Sequence, residues 1–219
     1  MIPLMARFVR IGLLVIGAAL FYNIHGEKPL FAFYDHGFGP LSKMPLWLQA
    51  VTFLVVSDFL LYWIHHVFHG VKLWKYHAVN HSSTDVSWIS AARFHPVNIF
   101  LGSVLTDVAL LLAGISPNVM LWVGPFNIAT IATSAVVHAN LDWTFGSFKY
   151  WFASPVFHRR YHTALDRGGN SNFAGTFPIF DWLFGTFYMP EGELPDYYGI
   201  DEPDFPTGLG GQMLYPLRH

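Results

Sequence analysis

Residues 65–83 read HHVFHGVKLWKYHAVNHSS, which places five histidines within seventeen positions, directly behind a stretch apolar enough to lie in a membrane. His65 and His69 are four apart, as are His77 and His81, and the spacing returns at His158 and His162 in FHRRYHT (157–163). On a helix, residues four apart stack on one face, so each pair can share or flank one metal ion. One such pair is commonly structural. Three of them, beside spans where ionisable groups are costly, point to a metal site. Imidazole suits Fe, Zn, Cu or Ni, and the scarcity of carboxylates at matching positions argues against Mg and Ca.

The composition agrees with a membrane setting. Hydrophobic residues make up 53% of the 219 positions and charged residues 12%, with a mean hydropathy of +0.37, so apolar runs must be tested as spans before any soluble fold. The length suits one domain with a sizeable core, and no stretch reads as a linker, a repeat or a low-complexity run. There is no cysteine, which excludes disulfides, zinc ribbons, iron–sulfur clusters and thiol nucleophiles. A formal charge of −2 provides no nucleic-acid footprint, and no nucleic-acid partner is expected.

Four stretches have about the length needed to cross a bilayer: 8–24, 46–64, 97–115 and 118–137. The expected fold is therefore an all-α integral membrane protein of about four transmembrane or re-entrant helices. Ser116 and Pro117 should form the tight turn between the third and fourth. The first stretch lacks a convincing small-residue cleavage site and is read as a helix, not a signal peptide. With a cytoplasmic N-terminus, alternation gathers Arg7, Arg10, Lys72, Lys75, Arg93, Lys149, Arg159, Arg160, Arg167 and Arg218 on one side, leaving only Lys28 and Lys43 opposite. That bias puts the histidine pairs on the cytoplasmic face, in a helical cap. Trp143, Trp151 and Trp182 suit the membrane interface. The expected organisation is 1–45 as an N-terminal transmembrane helix with its connecting loop, 46–190 as the metal-bearing membrane domain and 191–219 as a C-terminal tail.

Other residues leave alternatives open. His138, at the end of the fourth stretch, is either a seventh imidazole ligand or a cap on a helix terminus. His95 either orients the helix that follows it or supports a ligand. His66 points about 100° away from its neighbours and reads as interfacial, and the terminal His219 carries no reading. Asp58 lies two turns below His65 and is expected to accept an imidazole N–H. Asp107 either lines a cavity or pairs within the bundle. Lys72, Lys75, Arg159 and Arg160 either attract an anionic headgroup or serve only to set topology.

In order and spacing, DFLLYWIHHVFH, LWKYHAVNHSS, ARFHPVN, HANLDW, SPVFHRRYHT and NFAGTFPIFDWLFGTFYMP resemble the fatty acid hydroxylase/sterol desaturase superfamily of membrane non-haem di-iron oxygenases, from about residue 45 to 190. The resemblance implies ligands at His65, His69, His77, His81, His138, His158 and His162. It also exposes two departures at equivalent places, because Asn80 and Tyr161 stand where the family's His-x-x-His-His boxes have their central histidine. An amide oxygen can coordinate or hold a water on the metal, and a phenol can ligate ferric iron or donate a hydrogen bond. The implied function is O2-dependent hydroxylation or desaturation of a C–H bond in a fatty acyl chain, sterol or carotenoid. The implied cofactors are two Fe ions with O2 as co-substrate, and electrons are expected from an external donor acting as redox partner. Two rival readings remain: a histidine-zinc membrane hydrolase, drawing a general base from Asp142, Asp166 or Asp181, and a degenerate, non-catalytic relative that binds one metal or none.

Overall fold

The computed structural model describes residues 2–122, 126–164, 168–190, 195 and 197–218, and every regular element among them is helical. Asp166, Arg167 and His219 lie outside the described residues. In chain order the helices are α1 (Ile2–Phe21), α2 (Glu27–His36), α3 (Leu46–Phe68), α4 (Trp74–His81), α5 (Pro96–Leu112), α6 (Pro117–Trp122), α7 (Phe126–His138), α8 (Pro155–Tyr161), α9 (Ile179–Phe184) and α10 (Leu209–Leu214).

Among the described residues, only α3 is long and apolar enough to cross a membrane. Its 23 residues span about 35 Å, against a hydrocarbon core of roughly 30 Å. Trp47, Val51, Val55, Trp63 and Val67 leave an apolar face of this helix uncovered. The expectation of four spans is met only in part. The apolar segment Gly12–Phe21 of α1 and the whole of α5 are shorter. The fourth apolar stretch carries two helices, α6 of 6 residues and α7 of 13. Residues 123–125, between them in the chain, lie outside the described residues.

The chain forms two compact units, 1–57 with 103–129 and 58–102 with 130–219. In the first, the turn after α5 takes residues 113–116, and Pro117 opens α6, where its missing N–H costs nothing. Gly114 has φ +91, and a Cβ there would stand 2.2 Å from the Phe38 carbonyl oxygen, so only glycine fits. Gln49 is fully buried. Its amide donates to the His36 and Met44 carbonyls and accepts the Ser116 N–H, which satisfies the turn from inside the core.

The second unit holds every histidine pair. Its frame is the segment 172–188, clamped by two carboxylates. Asp181 accepts the Phe173 and Ala174 N–H groups at 2.7 and 2.9 Å and the Thr186 hydroxyl at 2.7 Å. Asp58 accepts the Thr176 and Phe177 N–H groups at 2.9 and 2.8 Å. The expected bond from Asp58 to an imidazole is therefore replaced by two bonds to backbone, because the loop after Phe173 presents unpaired amides directly above this carboxylate. Asn172, at φ 60, donates to the Phe157 and Tyr188 carbonyls and accepts the Tyr188 N–H, all at 2.8 Å, tying α8 to the end of this segment. The end of the chain is held by Glu202, which accepts from Trp74 Nε1 at 2.5 Å and from the Tyr215 hydroxyl.

Candidate metal centre

The imidazoles arrive from four helices and one turn. The C-terminal end of α3 carries His65, the turn that follows carries His69, α4 carries His77 and His81, α7 ends on His138, and α8 carries His158 before closing on His162. Ser154 caps α8, its hydroxyl accepting the Phe157 N–H at 3.2 Å, and Pro155 takes the first helical position. A Cβ on Gly169 would lie 1.9 Å from the Thr163 carbonyl oxygen, so glycine is required for the chain to fold back beneath this helix.

Two groups result. His138, His158 and His162 converge on their Nε2 atoms, with that of His138 3.2 Å from His158 Nε2 and 3.0 Å from His162 Nε2. His69, His77 and His81 form the other, each offering one ring nitrogen within 4.8 Å of the rest. His81 and His162 join the groups, their ring centroids 5.1 Å apart. His65 stands outside both by this measure, although its ring lies 5.5 Å from that of His77.

Hydrogen bonds fix which nitrogen is free. His65 Nδ1 donates to the Phe173 carbonyl at 2.6 Å, His138 Nδ1 to the Ser134 carbonyl at 2.6 Å and His77 Nδ1 to the Asn98 side-chain oxygen at 2.5 Å. Each partner only accepts, so the proton sits on Nδ1 and the lone pair on Nε2, the arrangement that prepares a histidine to bind a metal. Burial, reinforced by neighbouring imidazoles, pushes His77 down to about 3 and His69 down to about 2, and pushes His81, His158 and His162 well below the ordinary histidine value. All five are neutral at physiological pH, as ligands must be.

The residues fit a metal ion. Two nitrogens bound to one ion at 2.0–2.1 Å stand about 2.9–3.4 Å apart, the spacing found around His138. Both ring nitrogens of His81, and Nδ1 of His158 and of His162, are buried without a hydrogen-bond partner. A buried polar atom left so is costly, and ligation through one ring nitrogen would relieve that nitrogen at His81.

The two departures from the family pattern differ in their surroundings. Tyr161 is fully buried, its oxygen 2.5 Å from His77 Nε2 and 3.2 Å from His69 Nε2. Burial, with Asp181 nearby, pushes this phenol well above its ordinary value. Asn80 is also buried, but its side-chain oxygen has no partner. His95 joins neither group. Its Nδ1 accepts the Val97 N–H at 3.1 Å and its Nε2 donates to the Met213 carbonyl at 3.2 Å, so it starts α5 and anchors the C-terminal segment. His66 donates to the Tyr62 hydroxyl at 3.0 Å and lies on the Phe173 ring. Arg159 and Arg160 are buried beneath the rings of Tyr198 and Tyr188, at 5.0 and 5.5 Å, and are not placed as surface charges. The sequence reading missed Asn98 and the Phe173 carbonyl. The one available sign was a polar side chain in the first turn of a mostly apolar helix.

Comparison with known proteins identifies the family. A fatty acid hydroxylase family model matches residues 50–186. Relatives include the ornithine lipid hydroxylase OlsE of Rhizobium tropici, 32% identical over 74% of this chain and 48% of its own length. Methylsterol monooxygenase 2-2 of Arabidopsis thaliana is 27% identical over 76% of this chain and 66% of its own length. The very-long-chain aldehyde decarbonylase GL1-11 of Oryza sativa is 29% identical over 71% and 59%. The chain thus spans about half to two-thirds of the length of these curated relatives. No solved structure matches it. With more than half of its residues inside the family model and its histidines gathered as described, the chain belongs to the fatty acid hydroxylase family.

Proposed function

We propose that this protein oxidises a C–H bond of a membrane lipid, by hydroxylation or desaturation, at a non-haem di-iron centre held by His65, His69, His77, His81, His138, His158 and His162. The observation that carries this reading is the pair of buried, neutral imidazole groups lying side by side. Iron bound there supplies the activation of O2. For hydroxylation the balance is one lipid C–H, one O2, two electrons and two protons, yielding one alcohol and one water. The electrons come from an external redox partner.

The chain's own residues set the conditions for that chemistry. Asn98, Ser134 and the Phe173 carbonyl hold three imidazoles with Nε2 forward. The cluster of Tyr62, Tyr161, Phe173 and Ala174 excludes water from one side. The lipid is a fatty acyl chain, a sterol or a carotenoid, reaching the imidazoles from the bilayer that α3 crosses. The histidine groups then lie on the cytoplasmic face. A hydrolase needs a free carboxylate beside the metal. Asp181 is committed to the backbone of residues 173 and 174, and Asp142 joins neither imidazole group.

The test is to purify the protein from iron-supplemented cells, count metals, and follow O2 uptake and product mass with a membrane-lipid extract and a reductant. About two irons and a lipid gaining one oxygen or losing two hydrogens are expected. Tight zinc with lipid cleavage would establish the hydrolase instead, and a protein binding no metal would establish the degenerate reading.

A further inference from the structure

Resting on the di-iron reading, we propose that Tyr161 is itself a metal ligand, so that one ion is held by His69, His77, His81 and a phenolate while the other, at His138, His158 and His162, has only imidazoles. The phenol oxygen lies 2.5 Å from His77 Nε2 and 3.2 Å from His69 Nε2, two histidines of the His69, His77 and His81 group. These separations bracket the roughly 2.9 Å expected between neighbouring ligands at right angles on one ion. The proton of His77 is committed to Asn98 through Nδ1, so its Nε2 lone pair aims at the phenol. An ion that takes this lone pair removes the acceptor of the phenolic hydrogen bond and brings the oxygen within its own reach.

The oxygen has nowhere else to go. Tyr161 is fully buried and packed with Tyr62, Phe173 and Ala174. Its ring also lies 4.4 Å from that of His81 and 5.3 Å from that of His69, and close packing opposes a rotamer change. On binding, the O–H bond breaks heterolytically, the oxygen lone pair goes to the metal and the proton is released to solvent, with no change of oxidation state. The same short helix, α8, then serves both ions. His158 and His162 face His138, while Tyr161 between them reaches the opposite group. The two ions consequently differ in charge, because only one carries an anionic protein ligand.

The experiment uses the full chain in detergent, loaded with iron and oxidised by air, with iron counted and the visible spectrum recorded. A phenolate-to-iron(III) charge-transfer band and resonance-enhanced phenolate ring modes are expected. In Tyr161→Phe the band should vanish while iron at the all-imidazole site is retained, and in Tyr161→His iron should be retained at both sites without the band. Iron-loaded wild-type protein without the band, or a band that persists in either variant, overturns the assignment of Tyr161 and leaves the di-iron reading standing. Failure of the wild-type protein to bind iron overturns both. If Tyr161→Phe does not fold, the wild-type spectrum and Tyr161→His still decide the matter.

Discussion

Asn98 shows how a residue far from any histidine pair in the sequence acts on one. Its side-chain oxygen holds His77 through Nδ1, and supports of this kind are commonly worth 10–100-fold in metal affinity. Asn98→Val should therefore weaken metal binding by about 10- to 100-fold in a competition titration against a chelator. Asn98→Asp, which keeps the acceptor and adds charge, should restore or exceed the original affinity. Asp181 works on the frame instead. Replacing it by alanine orphans two buried backbone N–H groups and a hydroxyl, and should cost about 3 kcal/mol or more in chemical denaturation of the metal-free protein. Candidate ligands were legible as residues because four-residue spacing is a local property. The partners that fix their tautomers were not, since Phe173 lies 108 positions from His65 and Asn98 21 from His77.

At the scale of elements, α8 is the critical piece, seven residues that carry His158 of one imidazole group and place the Tyr161 phenol in the other. A helix this short has little stability of its own, so its cap and its packing decide whether it forms. Ser154→Ala should destabilise the protein by about 1 kcal/mol, read from a shift in denaturation midpoint at unchanged slope. Apolar stretches in the sequence were good guides to where helices occur. They were poorer guides to length: α3 runs for 23 residues, whereas α5, at 17, is shorter than a span. Asp58 was visible as a costly intramembrane carboxylate, but its partners, the Thr176 and Phe177 amides, lie 118 and 119 positions away.

For the whole molecule, the buried imidazoles make stability depend on acid. His69 and His77 bind protons more weakly in the folded protein, at about 2 and about 3, than in the unfolded chain, where a histidine titrates at 6.5. Between those values the unfolded state takes up more protons, so stability is full above pH 6.5 and falls as pH drops. Metal-stripped protein should show a melting temperature that declines progressively below about pH 6.5, and the metal-loaded protein should release its ions over the same descent, since protons compete for the ligands. Topology is testable because the chain contains no cysteine. Val71→Cys, at a position 96% exposed beside the histidine turn, should react with an impermeant thiol reagent only from the cytoplasmic side. Ser42→Cys, before α3, should react only from the other, and the reverse pattern would invert the proposed orientation.

The sequence by itself determined the helical class, the family and the roster of imidazoles, because apolar runs, four-residue spacing and the order of boxes are all written along the chain. Only the tertiary structure decided which imidazoles converge, which nitrogen each presents, and how unlike the two departures are. Asn80 and Tyr161 occupy equivalent places in their boxes, yet one side-chain oxygen is left without a partner and the other lies between His69 and His77. The physical reason is reach. A ligand site is built where helices remote in sequence meet, and whether a side chain arrives there depends on the packing around its ring, which no local pattern encodes.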